Sequence, residues 1–219
     1  MKLRGAIFDL DGTLADTIPV CLEACRRAVK HYSGRHLTDE EIRSMFGPSE
    51  IGIIQRMVPD RWQECLETYL RMYEEEHERC RSAFPGVERA LQMLRERGVA
   101  LAVVSGKGER AAAISLRYIG IEAPFDFVET GSPEGDIKAL NIRKVVAKWA
   151  VAPERVAYVG DAPSDIRAAK ECGVLSVGAA WAPSTNFDRL NAQEPALIFR
   201  DVESFVRWID VNVETNGRL

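Results

Sequence analysis

Short apolar segments recur along the chain, separated by polar or glycine-containing stretches. Residues 99–104 form a continuous apolar run, which is typical of a strand covered on both faces. Residues 3–8 also predict a buried strand, the first along the chain, because the turn residues Gly12 and Thr13 follow it closely. Further short strands are predicted at residues 125–128, 156–159, 174–177 and 196–199.

Helical patterns fill the spaces between the later strands. Residues 87–94 carry apolar side chains at the spacing i, i+3, i+4 and i+7, and Gly98 is suited to end that helix. Alternation of strands and helices from residue 85 onward predicts an α/β fold with a parallel sheet and right-handed crossovers. The first strand must join the same sheet to be buried. The other helices are predicted at about residues 108–119, 139–150, 163–172 and 202–211.

Residues 15–82, called the helical segment below, contain no convincing strand pattern. Thr38 and Glu41 have the spacing of a capping box, which marks the start of a helix. We therefore predict two domains: a core of residues 1–14 and 83–219, and an all-helical domain of residues 15–82 inserted after the first strand. The polar stretch 183–195 predicts a surface loop, with room for a short helix.

Composition narrows the class of protein. The chain has 219 residues, 46% hydrophobic and 28% charged, with a formal net charge of -4. This balance predicts a globular domain and argues against nucleic acid as an obligatory partner. The five cysteines are odd in number and form no CxxC pair, and the apolar runs are too short to cross a bilayer. We expect a cytoplasmic monomer or homodimer without a membrane partner.

Polar and charged groups follow four of the predicted strands. The carboxyl ends of parallel strands meet at one edge of a sheet, so these groups should converge there. Each group alone is equally typical of a turn, a helix cap or a solvated side chain, and only their joint placement predicts a site. They are Asp9 and Asp11 after the first strand, Ser105 and Gly106 after the second, Lys138 after the third, and Asp161 and Asp165 after the fourth.

This set of groups is typical of phosphoryl transfer. Carboxylates gathered at one edge repel each other unless a cation joins them, and hard oxygen ligands suit Mg²⁺. A hydroxyl and a lysine can donate hydrogen bonds to phosphate oxygens. The sequence therefore predicts Mg²⁺ as the cofactor and a small phosphorylated metabolite as the partner.

The spacing between Asp9 and Asp11 has its own meaning. Residues i and i+2 of extended backbone point to the same side, so both carboxylates can address one substrate. One can act as a nucleophile that forms an aspartyl-phosphate, and the other as a general acid and base. Gly12 lets the chain turn away without placing a side chain in the pocket.

These motifs resemble those of the haloacid dehalogenase superfamily. Residues 9–14, DLDGTL, are similar to its DxDGT signature, and residues 160–165, GDAPSD, resemble its acidic GDxxxD motif. Residues 103–107, VVSGK, resemble its second motif, and the helical segment resembles its alpha-helical cap. The resemblance covers nearly the whole chain and implies a Rossmann-like core with an inserted cap domain.

The resemblance also implies roles for single residues. Asp9 is the nucleophile and a metal ligand, and Asp11 is the acid and base that also offers its backbone carbonyl to the metal. Asp161 is a ligand, and Asp165 is a ligand or supports one through water or Lys138. The resemblance further implies that the transferring phosphoryl group is held by Ser105, the Gly106 amide and Lys138.

Two positions depart from the family pattern. The third motif often reads Lys-Pro-x-Pro, but residues 138–141 read KALN, and Lys138 lies slightly nearer to the acidic motif than usual. Lys138 is the preferred lysine, while Lys144 and Lys107 stay open. Gly106 occupies a position where asparagine is common, which affects expected contacts with the substrate or cap.

The resemblance favours a phosphatase, since Asp11 supplies a carboxylate at the acid and base position, and the dehalogenase branch lacks that carboxylate. We predict a magnesium-dependent phosphoric monoester hydrolase, phosphoglycolate phosphatase-like, that forms an aspartyl-phosphate on Asp9. The alternatives are a sugar-phosphate mutase of the beta-phosphoglucomutase type and a catalytically weak binding or regulatory protein on the same scaffold. Arg43 or Arg56 of the helical segment could meet a substrate anion or simply be solvated.

Overall fold

The fold is built around a six-stranded parallel sheet. The computed structural model describes residues 2–121 and 124–215, so both ends of the predicted core domain, at residues 1 and 219, lie outside the described residues. The strands are β1 Gly5–Phe8, β2 Ala100–Val104, β3 Phe127–Glu129, β4 Val156–Gly160, β5 Leu175–Ala179 and β6 Leu197–Phe199. Their order across the sheet is β3-β2-β1-β4-β5-β6, with every neighbouring pair parallel.

Ten α-helices connect or follow these strands in the described part of the chain. None of them is both long enough and apolar enough to span a bilayer. They are α1 Ile18–Ser33, α2 Asp39–Ser44, α3 Glu50–Met57, α4 Trp62–Glu76, α5 Val87–Glu96, α6 Glu109–Ile119, α7 Lys138–Trp149, α8 Pro163–Glu171, α9 Phe187–Asn191 and α10 Val202–Asn212.

Helices cover both faces of the sheet because strand side chains alternate in direction. Phe8 lies in an apolar cluster with Leu91 of α5 and Phe205 of α10. Its neighbour Ile7 points to the other face and packs in a second cluster with Val145 of α7. This arrangement confirms the predicted fold class of a parallel sheet with helices on both faces. The strand order reverses at β1, and such a reversal leaves a crevice at the carboxyl ends of the strands.

The helical segment packs around an apolar cluster of its own. Ile54, Leu70 and Tyr73 belong to this cluster, and Ala111 of α6 joins it. No strand occurs between β1 and β2. Hydrogen bonds in both directions between Thr38 and the residue three positions later form the predicted capping box at the start of α2. The boundaries of a separate helical domain stay a prediction.

Backbone hydrogen bonds link the helical segment to the sheet region. Where the chain leaves and re-enters the core, the Phe84 N–H donates to the Leu14 carbonyl at 2.9 Å. At the opposite end, the Ser49 N–H donates to the Ser132 carbonyl at 2.8 Å. A Cβ added at Gly52 of α3 would overlap the carbonyl of Pro133. The helical segment therefore closes directly over the carboxyl end of the sheet.

Candidate active site

Asp9 follows β1 immediately and lies beside the end of β4. Its N–H donates to the Val159 carbonyl at 2.9 Å, and its side chain is buried, with the residue 4% exposed. Gly12 has a φ of 72°, in the left-handed region that favours glycine. A Cβ at this position would also overlap the Asp161 carboxylate. Gly12 therefore allows the loops after β1 and β4 to approach closely.

The carboxylates of Asp9, Asp161 and Asp165 form a compact group. Each offers a ligand atom, and these atoms all lie within 4.8 Å of one another. Burial raises the pKa of Asp9 to about 7, although Lys138 nearby acts to lower it. Burial, together with the Asp165 and Asp9 carboxylates, also raises the pKa of Asp161 well above its ordinary value. Like charges in a buried site favour a cation, so this donor set fits Mg²⁺.

Asp9 keeps one oxygen available within this group. Its Oδ1 atom lies 3.2 Å from Lys138 Nζ but accepts no well-directed hydrogen bond from the described residues. A buried carboxylate oxygen without such a donor is costly unless a ligand uses it. Oδ1 of Asp9 is therefore suited to meet a metal or a phosphoryl group.

Lys138 joins two of the carboxylates. Its Nζ atom lies 2.5 Å from Asp165 Oδ1 as well as beside Asp9. Burial alone would lower the pKa of Lys138, but Asp165 and Asp9 raise it well above its ordinary value. Asp165 also accepts hydrogen bonds from Tyr158 OH at 3.3 Å and from the Ala162 N–H at 2.9 Å. Both oxygens of Asp165 thus have protein donors.

The two other candidate lysines lie elsewhere. Lys144 pairs with Glu129 on β3, away from the carboxylate group. Lys107 is buried, and its Nζ atom lies 3.0 Å from Asp11 Oδ1. Lys138 is therefore the candidate lysine that contacts Asp9, and Lys107 is a buried cation bound to Asp11.

Lys107 also connects Asp11 to the helical segment. It donates to Cys21 Sγ of α1 at 2.8 Å, and its Nζ atom lies 4.6 Å from the centre of the Tyr73 ring of α4. Asp11 accepts a further hydrogen bond from Thr17 Oγ1. Charged and aromatic groups from both parts of the chain thus orient the Asp11 carboxylate.

The loops after β2 and β3 pack against each other next to this site. Ser105 is buried, and its Oγ atom accepts the Lys107 N–H at 3.3 Å. The Gly131 N–H donates to the Lys107 carbonyl at 2.6 Å, and a Cβ at Gly131 would overlap the Gly106 backbone. The Gly106 backbone is therefore held against the loop after β3, and the residue lines the site.

A cavity of about 630 Å³ lies between the sheet end and the helical segment. Ser105 and Asp165 are buried beside it, without belonging to its lining. Arg43 of the helical segment lines it, whereas Arg56 does not. The predicted site residues that line the cavity are Asp9, Asp11, Gly106, Lys138 and Asp161.

Sequence reasoning missed several contributors. Thr185 Oγ1 donates to Asp161 Oδ2 at 3.1 Å, although residues 183–195 carried only the signature of a surface loop. Thr17 and Tyr158 contact Asp11 and Asp165 from positions that no motif marks. A spacing within one motif, such as that from Asp9 to Asp11, cannot reveal these contacts. They depend on how other loops and helices of the chain fold back over the site.

Comparison with known proteins agrees with these observations. A sequence model of the family described as haloacid dehalogenase-like hydrolase matches residues 6–179. The phosphorylated carbohydrates phosphatase of Thermotoga maritima is 31% identical, covering 78% of this chain and 82% of that protein. The phosphoglycolate phosphatase of Pseudomonas putida is 30% identical, covering 93% of this chain and 78% of that protein.

A solved structure supports the fold. A haloacid dehalogenase-like hydrolase from Streptococcus pneumoniae superposes with a TM-score of 0.76 and 22% identity, covering 94% of this chain and 98% of that one. The family match and the two phosphatase relatives confirm the predicted family and enzyme class. The chain belongs to the haloacid dehalogenase-like hydrolases.

Proposed function

We propose that this hydrolase is a magnesium-dependent phosphatase that cleaves a small phosphomonoester through an aspartyl-phosphate on Asp9. The observation that carries the proposal is the setting of Asp9. This buried carboxylate has the ammonium group of Lys138 3.2 Å away, belongs to a cluster of acids, and lines a cavity large enough for a metabolite. Relatives named as phosphatases support the same reaction class.

In the first step, a carboxylate oxygen of Asp9 attacks the phosphorus atom. The bond between phosphorus and the leaving oxygen breaks, and Asp11 donates a proton to that oxygen. Ser105, the Gly106 amide and Lys138 are proposed to hold the transferring phosphoryl group. Because Lys138 contacts Asp9 directly, it also keeps the attacking carboxylate in place.

In the second step, water hydrolyses the aspartyl-phosphate. Asp11, now deprotonated, takes a proton from water as the water oxygen attacks phosphorus. The bond between phosphorus and the Asp9 oxygen breaks, which releases inorganic phosphate and restores the nucleophile. Lys107 and Thr17 orient Asp11 for both proton transfers.

The Asp9 and Asp161 carboxylates and the Asp11 backbone carbonyl would hold Mg²⁺. Asp165 is a further ligand or a support through water or Lys138, and its fully used oxygens favour the supporting role. When bound, the ion would neutralise negative charge on the phosphoryl oxygens and the nucleophile.

We further propose that the protein acts in the cytoplasm on a soluble metabolite, as a monomer or homodimer. All five cysteines are free thiols, and three of them are buried. Free thiols are typical of proteins from reducing compartments, which supports this location.

A panel of phosphorylated metabolites, assayed for phosphate release with Mg²⁺ and with chelator, tests the function. We expect the best substrate to reach a kcat/KM of about 10⁴ M⁻¹s⁻¹ or more with Mg²⁺. A sugar-phosphate mutase would instead convert one ester into another without net phosphate release. A binding protein would do neither, and either result would contradict a phosphatase.

We also propose that the helical segment moves as one cap, hinged near residues 15–16 and 83–85. The Gly52→Ala variant tests this, because its methyl group would collide with the Pro133 carbonyl when the cap closes. Alanine itself favours a helix by about 1 kcal/mol over glycine, so the helix should not be weakened. We expect kcat/KM to fall about 10²-fold while the melting temperature changes little.

Gly135→Ala is the matched control for this variant. It lies in the same loop as Pro133, and no atom lies within 4 Å of the added Cβ. Its activity should equal that of the wild type. Equal activity of Gly52→Ala and wild type would argue against closure of the cap over this loop.

A further inference from the structure

One wall of the active-site cavity is apolar, and it belongs entirely to the helical segment. The opposite wall carries the carboxylates and Lys138, which suit the phosphoryl group. The leaving group of a bound ester must therefore face the apolar wall. The apolar side chains that form it include Ile18, Ile42, Phe46, Ile53, Ile54 and Tyr69.

Charged groups on this wall are few. Arg43 and Glu50 are the two charged residues that the helical segment contributes to the lining. Glu50 is already used, because its Oε2 atom accepts the Gly108 N–H at 2.8 Å. Lys107, Arg167 and Arg189 line the cavity from the core side. Both arginines are exposed to solvent, and Lys107 is paired with Asp11. Apart from the solvent-exposed Arg43, the lining residues of this wall include no cationic side chain to compensate the burial of a second anion.

The size of the cavity points in the same direction. Its volume of about 630 Å³ lies within the range of pockets that hold drug-sized ligands. A two-carbon acid or a second phosphate would leave much of the apolar wall without a partner. An extended hydrocarbon or aromatic group would instead cover it and gain about 0.8 kcal/mol for each buried CH₂ group.

From the apolar wall and the cavity volume, we infer that the substrate is a phosphomonoester with an apolar alkyl or aryl body. This inference rests on the proposed phosphatase function and specifies its substrate class. It distinguishes the protein from an enzyme suited to phosphoglycolate, pyrophosphate or a sugar phosphate.

A series of n-alkyl phosphates from ethyl to octyl tests the inference. Their leaving alcohols are chemically alike, so a change in kcat/KM reports burial of the chain. We expect kcat/KM to rise about fourfold per CH₂ until the cavity is filled. Octyl phosphate should exceed phosphoglycolate and pyrophosphate. A flat or falling series would overturn the inference while leaving the phosphatase function intact.

The matching n-alkylphosphonates separate the substrate class from the reaction. They cannot be hydrolysed at the carbon–phosphorus bond, and calorimetry measures their affinity without turnover. Affinity that rises with chain length in a protein inactive on every phosphate would support the apolar pocket and overturn the phosphatase function. Affinity independent of chain length would overturn the pocket.

The Phe46→Ser variant locates the effect on the proposed wall. Phe46 is 43% exposed, so its replacement should leave the fold intact. We expect octyl phosphate to lose about tenfold more kcat/KM than ethyl phosphate does. Val211→Ser, at an 82% exposed apolar position outside the cavity lining, is the control. It should keep the wild-type increase of kcat/KM with alkyl chain length. An equal increase of kcat/KM with alkyl chain length in both variants would contradict the assignment of Phe46 to the substrate pocket.

Discussion

We expect Asp9→Asn to abolish turnover, with a loss of about 10⁴-fold or more. Asparagine has nearly the same shape as aspartate but lacks the charged oxygen that attacks phosphorus. The side chain sits at the end of β1, beside Lys138, and lines the cavity. Steady-state phosphate release, measured on the best substrate of the panel, gives the loss directly.

The same variant should remain folded and become more stable without metal. The pKa of Asp9 is about 7 in the folded protein, against about 3.9 in an unfolded chain. The folded protein therefore binds more protons between these values, and its stability falls as the pH rises from about 4 to about 7. Asparagine does not titrate. In chelator, the melting temperature of Asp9→Asn should exceed that of the wild type increasingly over this range.

Asp11→Asn separates the two chemical steps. The nucleophile remains, so an activated aryl phosphate, which needs no acid to leave, should still phosphorylate Asp9. Hydrolysis of the intermediate should be slow, because water lacks its base. Intact-mass measurement should detect one added phosphoryl group in Asp11→Asn and none in the double variant with Asp9→Asn. Robust turnover by Asp9→Asn would show that the proposed nucleophile is wrong.

Removal of the metal is expected to lower turnover about as strongly as Asp9→Asn does. Activity should disappear in chelator and return with Mg²⁺, because the ion is proposed to neutralise charge on the phosphoryl group. Ca²⁺ should replace it poorly, since its larger and more flexible ligand shell disturbs the geometry of attack. Full turnover in chelator would contradict the proposed cofactor.

Thermal stability provides a measure of metal binding that does not depend on activity. Mg²⁺ at about 100 times its dissociation constant should stabilise the folded protein by about 2.7 kcal/mol. Asp161→Asn should remove most of this stabilisation, because Asp161 supplies one of the three clustered carboxylates. The exposed residue Asp60 lies outside the cluster, so Asp60→Asn should keep the full stabilisation by Mg²⁺. Equal shifts in both variants would place the metal elsewhere.

The sequence predicts the order of the elements well because their signals are local. The apolar run 99–104 corresponds to β2 at Ala100–Val104, and the amphipathic pattern 87–94 corresponds to α5 at Val87–Glu96. Buried parallel strands need continuous apolar runs and surface helices need one apolar face, so both patterns are visible in short windows. The family motifs at residues 9–14, 103–107 and 160–165 lie at the carboxyl ends of β1, β2 and β4.

Strand ends are less predictable, as β5 illustrates. The pattern predicts residues 174–177, whereas β5 spans Leu175–Ala179. Gly178 is typical of a strand end in a sequence, but here it pairs with Gly160 of β4. A Cβ at Gly178 would crowd the side chain of Ile198 on β6. The glycine therefore serves a close approach between strands, which only the assembled sheet requires.

The sequence prefers Lys138 among the candidate lysines, and the tertiary structure shows what each of them contacts. Lys138 and Lys144 lie six residues apart on α7, and sequence spacing does not separate them. The first turn of α7 lies at the carboxyl end of the sheet, where Lys138 reaches Asp9 and Asp165. Lys144 lies further along the helix and pairs with Glu129 instead.

The sequence alone determined the parallel sheet, the helical segment and the convergence of acidic groups at one edge, because these follow from local periodicity and strand direction. Tertiary structure decided which groups meet. It placed Lys107 between Asp11, Cys21 and Tyr73, and it set an apolar wall from four separate helices over the carboxylates. Such contacts join residues far apart in the chain, and their distances depend on how the helical segment closes over the sheet.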